Sequence, residues 1–326
     1  MANKKNLGIQ YKKLSLGYRI KRDATKNYTL YLMMLPVLVY YIIFHYGPMV
    51  GLQTAFRDTR IITDMWTAPW VGFANFRAFF NHPWFGMILG NTIRISLWTI
   101  IAGFPAPIIL ALLINELKSK KFSRVTQTIT YLPHFISLVV VAGMVITFVS
   151  AGSGGIISQA WAFITRTEPQ YMLNNPSMFL PIFVTTNIWR TIGWGSIVYL
   201  AALTGIDPTL YEAAEIDGAS RMRKLWHVTL PGILPTITIM LILRVGQVMT
   251  VGFEEILLLQ NQLNFHVSEV IPTHMFNRNF GNTDWGITRE HTGYTSAIAM
   301  FNSVINFAII IVANFICRKV GETSLW

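Results

Sequence analysis

Three arginines lie within or beside long apolar runs of this sequence: Arg94, Arg190 and Arg244. A charged side chain inside a lipid bilayer is costly unless it faces an aqueous cavity or a partner group. Polar and aromatic side chains accompany the second and third of these arginines. We therefore predict a pathway for a polar solute through a membrane, with these candidate lining residues: Asn187, Trp189, Arg190, Trp194, Tyr199, Arg244 and Gln247.

Each of these residues also has a purely structural interpretation. The tryptophans are suited to helix packing or to anchoring at the membrane interface. Arg94 can extend its aliphatic stem so that its charge reaches the interface. Arg190 and Arg244 can form structural pairs, or their two intramembrane charges can favour an anionic solute.

Other patterns that suggest chemistry have simpler explanations. Glu254 and Glu255 are adjacent, so on a helix or strand they point in different directions and do not form an opposed acid–base pair. We predict a loop role for them, in contact with a partner outside the membrane. The glycine-rich stretch 151–155 lacks the Lys-Ser/Thr of a phosphate loop and is predicted to be a flexible turn. The seven scattered histidines and the lone Cys317 predict no metal site and no intrachain disulfide.

The composition indicates an integral membrane protein. Hydrophobic residues make up 52% of the 326-residue chain and charged residues only 13%, whereas soluble domains carry about 25% charged residues. A membrane-spanning helix needs roughly 20 apolar residues. The sequence predicts an all-α fold with about six transmembrane helices, near residues 28–47, 89–114, 128–149, 179–203, 228–250 and 296–317. Pro105 and Pro107 predict a kink or break in the second helix, and Gly193, Gly195 and Gly246 predict close helix approach.

The lysines predict the orientation in the membrane. All eleven lie in the N-terminal tail, in residues 118–121, at Lys224 or at Lys319, segments that six spans place on one side. The positive-inside rule makes that side cytoplasmic, so both termini are predicted to be inside. We predict a basic tail over residues 1–27 and a transmembrane domain over residues 28–326. Leu7, Tyr11, Leu14 and Tyr18 have the spacing of a membrane-surface helix, although a solvated tail fits as well. Topology and anionic lipid account for the net charge of +11 without nucleic acid.

One predicted cytoplasmic loop, residues 205–231, contains two short helical patterns. Asp207 followed by Pro208 is a typical helix start, and Gly218 is placed to end that helix. A second short helix is predicted to run from about Arg221 to Val228, before Pro231 opens the fifth span. The loop therefore predicts a helix, a glycine turn and a helix on the cytoplasmic surface.

This loop resembles the EAA loop of binding-protein-dependent ABC importer permeases, and the chain is identified as a member of that family. The match runs through Glu212-Ala213-Ala214, then Asp217-Gly218-Ala219, then Leu230-Pro231. Residues 71–76, which read VGFANF, and Tyr131-Leu132-Pro133 resemble the maltose-type sugar permeases. The Ser-Leu-Trp ending is similar to a subgroup that takes up oligosaccharides, including acidic ones such as alginate or pectin fragments.

The resemblance implies a type I ABC importer permease fold in a bacterial inner membrane. The predicted ATPase-coupling residues are Glu212, Ala213, Ala214, Asp217 and Gly218. The implied partners are a second homologous permease, two ATP-binding cassette subunits and an extracytoplasmic solute-binding protein that delivers a saccharide. The chain lacks a phosphate-loop sequence, so ATP and Mg²⁺ are expected on the ATPase subunits. No cofactor is expected on this chain, and it is predicted to be a transport subunit rather than an enzyme.

Two other classes remain as alternatives. An ion-coupled secondary transporter places carboxylates within its spans, and the six predicted spans contain no interior Asp or Glu. A membrane-embedded enzyme needs a cluster of catalytic side chains in its spans, and the sequence shows none. Copurification with ATPase subunits would distinguish the importer from both.

Overall fold

The computed structural model describes Gly17, Asp23 and residues 25–60, 64–250, 252–281 and 292–320. These residues form helices and loops, with one isolated antiparallel bridge between Arg57 and Trp70. The predicted all-α fold class is confirmed. The residues proposed for a surface helix, Leu7, Tyr11, Leu14 and Tyr18, lie outside the described residues.

The chain divides into two units, Met1–Gln53 and Thr54–Trp326. In the first unit, helix α1 spans Tyr28–Tyr41 and continues through a π-helical turn at Ile42–Tyr46 and a short helix at Gly47–Met49. A 3₁₀ helix, Val50–Phe56, follows.

The second unit contains the remaining helices, and its centre is one long helix. The helices are α2 (Ala74–Phe80), α3 (Phe85–Gly103), α4 (Pro105–Asn115), α5 (Lys120–Tyr131), α6 (Leu138–Phe148), α7 (Ile156–Thr165), α8 (Pro176–Thr204), α9 (Pro208–Ile216), α10 (Arg221–Lys224), α11 (Leu230–Val245), α12 (Phe253–Leu259), α13 (Phe265–Ser268), α14 (Ile271–Phe280) and α15 (Thr292–Val320). The central helix is α8, which contacts α3, α4, α5 and α11.

Four helical stretches of the described chain are long and apolar enough to cross a membrane. They are Tyr28–Phe56, Phe85–Asn115, Arg221–Val245 and Thr292–Lys319, which correspond to the first, second, fifth and sixth predicted spans. The second stretch breaks at Phe104, where Pro105 starts α4. Pro105 has no N–H to continue the helix, so the break follows from the sequence as predicted.

The third predicted span, residues 128–149, is wrong as a continuous helix. Helix α5 and the 3₁₀ turn Leu132–Phe135 meet α6 at an angle of 97°. The Ser137 hydroxyl accepts a hydrogen bond from the backbone N–H of Val140 at 3.3 Å, so a capped helix starts afresh here. Helix α6 has 11 residues and is too short to span the hydrocarbon layer by itself.

Helix α8 covers the fourth predicted span but is less apolar than the others. Its 29 residues correspond to a length of about 43 Å, more than the hydrocarbon thickness. Polar side chains interrupt its middle, namely Thr185, Thr186, Asn187, Arg190 and Thr191. Thr186 and Asn187 are buried and Arg190 and Thr191 are half-buried, whereas Thr185 is exposed.

Glycine permits close helix contacts at two positions in the second unit. A Cβ atom on Gly193 would lie 2.1 Å from the carbonyl oxygen of Thr130 in α5, and one on Gly246 would lie 2.3 Å from the side chain of Ile310 in α15. Such distances exclude any larger side chain without movement. The predicted role of small residues in close helix approach is confirmed at these two positions.

Candidate functional site

A cavity of about 350 Å³ lies beside the middle of α8 in the second unit. It is lined by Ser96, Thr99, Ile100, Leu138, Asn187, Arg190, Thr191, Arg244, Gln247, Val248, Thr250, Gly252, Phe253, Glu254 and Glu255. The lining therefore comes from α3, α6, α8, α11, α12 and the segment between the last two. Four of the seven candidate pathway residues, Asn187, Arg190, Arg244 and Gln247, meet at this one cavity.

The break in the third predicted span helps to form this cavity. Because α6 departs at a steep angle after Ser137, its first residue, Leu138, reaches the cavity lining. Ser96 and Thr99 contribute hydroxyls from α3, and both hydroxyls are also bonded to backbone carbonyls. The wall therefore combines a few apolar side chains with hydroxyl, amide and charged groups, which supply hydrogen-bond donors and acceptors to a polar organic solute.

Glu255 occupies a place that the sequence did not suggest. Its side chain is 2% exposed, and its Oε2 accepts a hydrogen bond from Asn187 Nδ2 at 3.2 Å. The predicted loop role is wrong, because both glutamates lie on α12. Glu255 is buried there, whereas its neighbour Glu254 is exposed. The signal available in the sequence was a pair of intramembrane arginines followed, ten and eleven residues after Arg244, by carboxylates of opposite charge.

Two polar atoms at this cavity are left unpaired. The Oε1 atom of Glu255 and the Nε atom of Arg190 are both buried, and neither has a hydrogen-bond partner among the described residues. Buried polar groups in proteins are normally satisfied, so these two atoms lack the partner that their burial normally requires.

The three aromatic candidates lie outside this cavity. Tyr199 lines a neighbouring cavity of about 310 Å³, which also includes Arg244 and Gln247. The indole ring of Trp194 stacks on the imidazole of His134, with ring centroids 4.7 Å apart. Trp189 is 44% exposed on the surface of the chain. Contact of these rings with a solute stays a prediction.

The third intramembrane arginine, Arg94, is also outside the cavity. Its guanidinium donates a hydrogen bond to the backbone carbonyl of Val267 at 3.0 Å. This contact ties α3 to the backbone of α13 and gives Arg94 a structural role.

The predicted coupling loop has the helix–turn–helix structure that its sequence indicates. The Asp207 carboxylate accepts a hydrogen bond from the backbone N–H of Thr209 at 2.9 Å, which caps α9 and lowers the pKa of Asp207. The turn that ends α9 contains Gly218 with a φ of +71°. The N–H groups of Gly218 and Ala219 donate to the carbonyls of Glu215 and Ala214, the pattern of a Schellman motif.

A salt bridge joins the two short helices of the loop. Lys224 Nζ lies 2.6 Å from Glu215 Oε1, and this hydrogen-bonded pair lowers the pKa of Glu215. Glu212, Ala213, Asp217 and Gly218 are exposed and Ala214 is half-buried. Large apolar side chains flank them on the same loop, with Ile216 87% and Trp226 63% exposed. Exposed apolar groups in such a concentration are typical of a protein interface.

Comparison with known proteins places these features in a family. Residues 103–322 match the family described as "Binding-protein-dependent transport system inner membrane component". Protein LplB of Bacillus subtilis (strain 168) is 38% identical over 307 residues, which cover 94% of this chain and 92% of LplB. The polygalacturonan/rhamnogalacturonan transport system permease protein YteP of the same organism is 36% identical, with coverage of 91% and 90%.

Solved structures give the same result for the fold. A chain of a bacterial ABC transporter involved in the import of the acidic polysaccharide alginate has a TM-score of 0.82 and 38% identity, covering 93% of this chain and 99% of its own length. A second structure, of the alginate transporter in complex with an alginate pentasaccharide-bound periplasmic protein, has a TM-score of 0.83 and 37% identity over 94% of this chain and 100% of that chain. The fold is therefore that of an ABC importer permease, and this chain belongs to the family of binding-protein-dependent transport system inner membrane components.

Proposed function

We propose that this chain is one of two permease subunits of an ATP-driven bacterial importer that takes up an oligo- or polysaccharide, with acidic saccharides as the preferred class. Relatives named for the transport of polygalacturonan and alginate support a saccharide as the solute. The observation that carries the proposal is the cavity beside α8, where two arginines meet amide and hydroxyl groups. Sugars carry a hydroxyl on most ring carbons, and such a wall supplies both donors and acceptors for them.

In this proposal an extracytoplasmic binding protein delivers the saccharide, and a second, homologous permease completes the pathway. Two ATP-binding cassette subunits bind ATP and Mg²⁺ on the cytoplasmic side. The exposed face of α9, with Glu212, Ala213 and Ala214, docks on one of them. The lysine distribution supports this orientation, with both termini in the cytoplasm of a bacterial inner membrane.

The proposed mechanism is alternating access around the cavity beside α8. ATP binding closes the ATPase dimer and displaces α9 together with α10, because the Lys224–Glu215 salt bridge and the Gly218 turn hold the two helices as one body. The loop connects directly to α8 at one end and leads into α11 at the other. These two helices carry Asn187, Arg190 and Arg244, so movement of the loop reaches the cavity lining through continuous helix.

Arg190 and Arg244 are expected to set the preference for acidic saccharides. We expect Arg190→Gln combined with Arg244→Gln to reduce uptake of a uronate pentasaccharide about tenfold or more relative to its carboxyl-reduced derivative, because charge-assisted hydrogen bonds exceed neutral ones by about 1–2 kcal/mol. The measurement is uptake into proteoliposomes that contain the complete complex and the same binding protein throughout. Selection by the binding protein then cancels when mutant and wild-type ratios are compared.

Arg94→Gln is the matched control for this experiment. It removes the same charge from the same membrane region, but its guanidinium bonds to the carbonyl of Val267 outside the cavity. We expect its ratio of acidic to neutral uptake to match that of the wild type. Unchanged discrimination in the double variant would contradict the role of the two arginines.

A further inference from the structure

The cavity beside α8 contains negative as well as positive groups. Glu255 and Glu254 lie in the same lining as Arg190 and Arg244. Simple attraction of an anionic sugar by two positive charges is therefore partly offset within the site itself. A carboxylate in such a place needs its own explanation.

The position of Glu255 indicates that its carboxylate is built into the site. The side chain is 2% exposed, and one of its oxygens is fixed by the amide of Asn187, which itself projects from the middle of α8. The other oxygen, Oε1, has no hydrogen-bond partner in the part of the chain that the structure describes. One oxygen thus anchors the group, and the other lacks the hydrogen-bond partner that a buried oxygen normally has.

A saccharide hydroxyl is a suitable hydrogen-bond donor for Glu255 Oε1. A carboxylate only accepts hydrogen bonds and a guanidinium only donates them, whereas a hydroxyl does both. The unpaired Nε of Arg190 supplies the complementary donor in the same cavity. A sugar carboxylate, in contrast, is repelled by Glu255 and attracted by the arginines, so the two kinds of sugar substituent are directed to different parts of the cavity.

We propose that Glu255 is a specificity-determining residue of the translocation cavity, whose free carboxylate oxygen accepts a hydrogen bond from a saccharide hydroxyl. This inference rests on the proposed function. The inference adds to the proposed function a contact between Glu255 and the hydroxyl groups that neutral and acidic sugars share. The sugar carboxylates are then bound by the arginines alone.

The test compares Glu255→Gln with the wild type in proteoliposomes that contain the complete complex and binding protein. The probes are a uronate pentasaccharide and its carboxyl-reduced derivative, which differ only in the substituent at the carboxyl carbon. The substitution weakens the hydroxyl contact, because an acceptor loses strength when its charge is removed, and it also removes the negative charge that repels the uronate. We expect uptake of the neutral derivative to fall about fivefold, on the basis of that difference in hydrogen-bond strength. Uptake of the uronate should fall less, because its repulsion is removed as well, so the ratio of acidic to neutral uptake rises.

Glu168→Gln is the control, because it removes the same charge from an exposed side chain that lies outside the cavity lining. We expect its ratio to stay within about twofold of the wild-type ratio, since solvent screens exposed charges. An equal shift in both variants would overturn the direct contact, because it would show an effect of net charge.

Glu255→Asp provides a second test if the glutamine variant does not assemble. It keeps the charge but withdraws the oxygen by about one carbon–carbon bond length. Neutral uptake is expected to fall about fivefold, in line with the loss of one hydrogen bond to a charged group.

The possible results distinguish failure of the proposed function from failure of the role assigned to Glu255. If the wild-type complex takes up neither probe, the proposed function fails and this inference fails with it. If the wild type takes up the probes and neither Glu255 variant changes the ratio or the neutral uptake, only this inference is overturned.

Discussion

Substitution of Gly218 by valine is expected to reduce saccharide-stimulated ATP hydrolysis by the assembled complex about tenfold or more. Gly218 has a φ of +71°, a conformation in which a β-branched residue is strongly disfavoured. A Cβ atom there would contact no other described residue within 4 Å, so the cost is one of backbone conformation. That cost is about 1–2 kcal/mol for an ordinary residue, which is roughly a tenfold change in the population of the native turn.

Strain in the turn at Gly218 is expected to alter the orientation of α9, which carries the predicted coupling residues. Two hydrogen bonds of the Schellman motif, from Gly218 and Ala219, close the turn between α9 and α10. If the turn opens, α9 loses its fixed orientation relative to α10, and the Glu215–Lys224 salt bridge loses its geometry. An exposed pair of this kind contributes little stability by itself, so it cannot hold the loop together alone.

Gly218→Asn is the matched control for the coupling turn. Asparagine tolerates the left-handed conformation better than other non-glycine residues, so we expect this variant to keep at least a third of wild-type stimulation, on that basis. Copurification of the ATPase subunits should be measured for both variants, so that loss of assembly is told apart from loss of coupling. If valine and asparagine behave alike, or if valine equals the wild type, the turn is not the coupling element that we propose.

Substitution of Gly193 by alanine is expected to destabilise the protein by about 3 kcal/mol or more, at the upper end of overpacking effects. The added Cβ would lie 2.1 Å from the carbonyl oxygen of Thr130 and 2.8 Å from the backbone nitrogen of Tyr131. Both obstacles are backbone atoms, which cannot move aside as a flexible side chain can. Helices α8 and α5 would have to separate, and the bent connection from α5 to α6 would move with them.

The measurement for Gly193→Ala is the thermal unfolding midpoint of the detergent-solubilised complex. Gly143→Ala in α6 is its control, because a Cβ atom at that position would meet no described heavy atom within 4 Å. We expect the Gly143 variant to match the wild type and the Gly193 variant to unfold at a clearly lower temperature or fail to assemble. Equal midpoints for the two variants would show that the helices do not approach as closely as the structure indicates.

Hydropathy predicted where the apolar helices lie but not how they bend. A window of about twenty residues measures only composition, so residues 128–149 had the signal of a span although Pro133 and Ser137 divide it. The cap at Ser137, whose hydroxyl accepts from the N–H of Val140, was readable as a helix start. The angle of 97° between α5 and α6, however, depends on how these helices pack around α8, and a local sequence pattern carries no information on that packing.

The coupling loop was more predictable than the cavity, for a physical reason. The loop depends on short-range interactions, since Asp207 caps the helix that follows it and Gly218 closes a turn six residues long. The cavity depends on residues far apart in sequence, such as Asn187 and Glu255, which are bonded across 68 positions. The arginines indicated a polar pathway, but the carboxylate that meets them became visible only when α12 was placed against α8.

The most direct test of the central claim is ATP hydrolysis by the reconstituted complex of both permeases and the ATPase subunits. The rate should be measured alone, with binding protein, and with binding protein plus a uronate pentasaccharide, its carboxyl-reduced derivative or an unrelated amino acid. The proposed function predicts stimulation by binding protein together with a saccharide, strongest for the uronate, and no stimulation by the amino acid. Failure of every saccharide to stimulate hydrolysis in an assembled complex would contradict the claim that this chain is the permease of a saccharide importer.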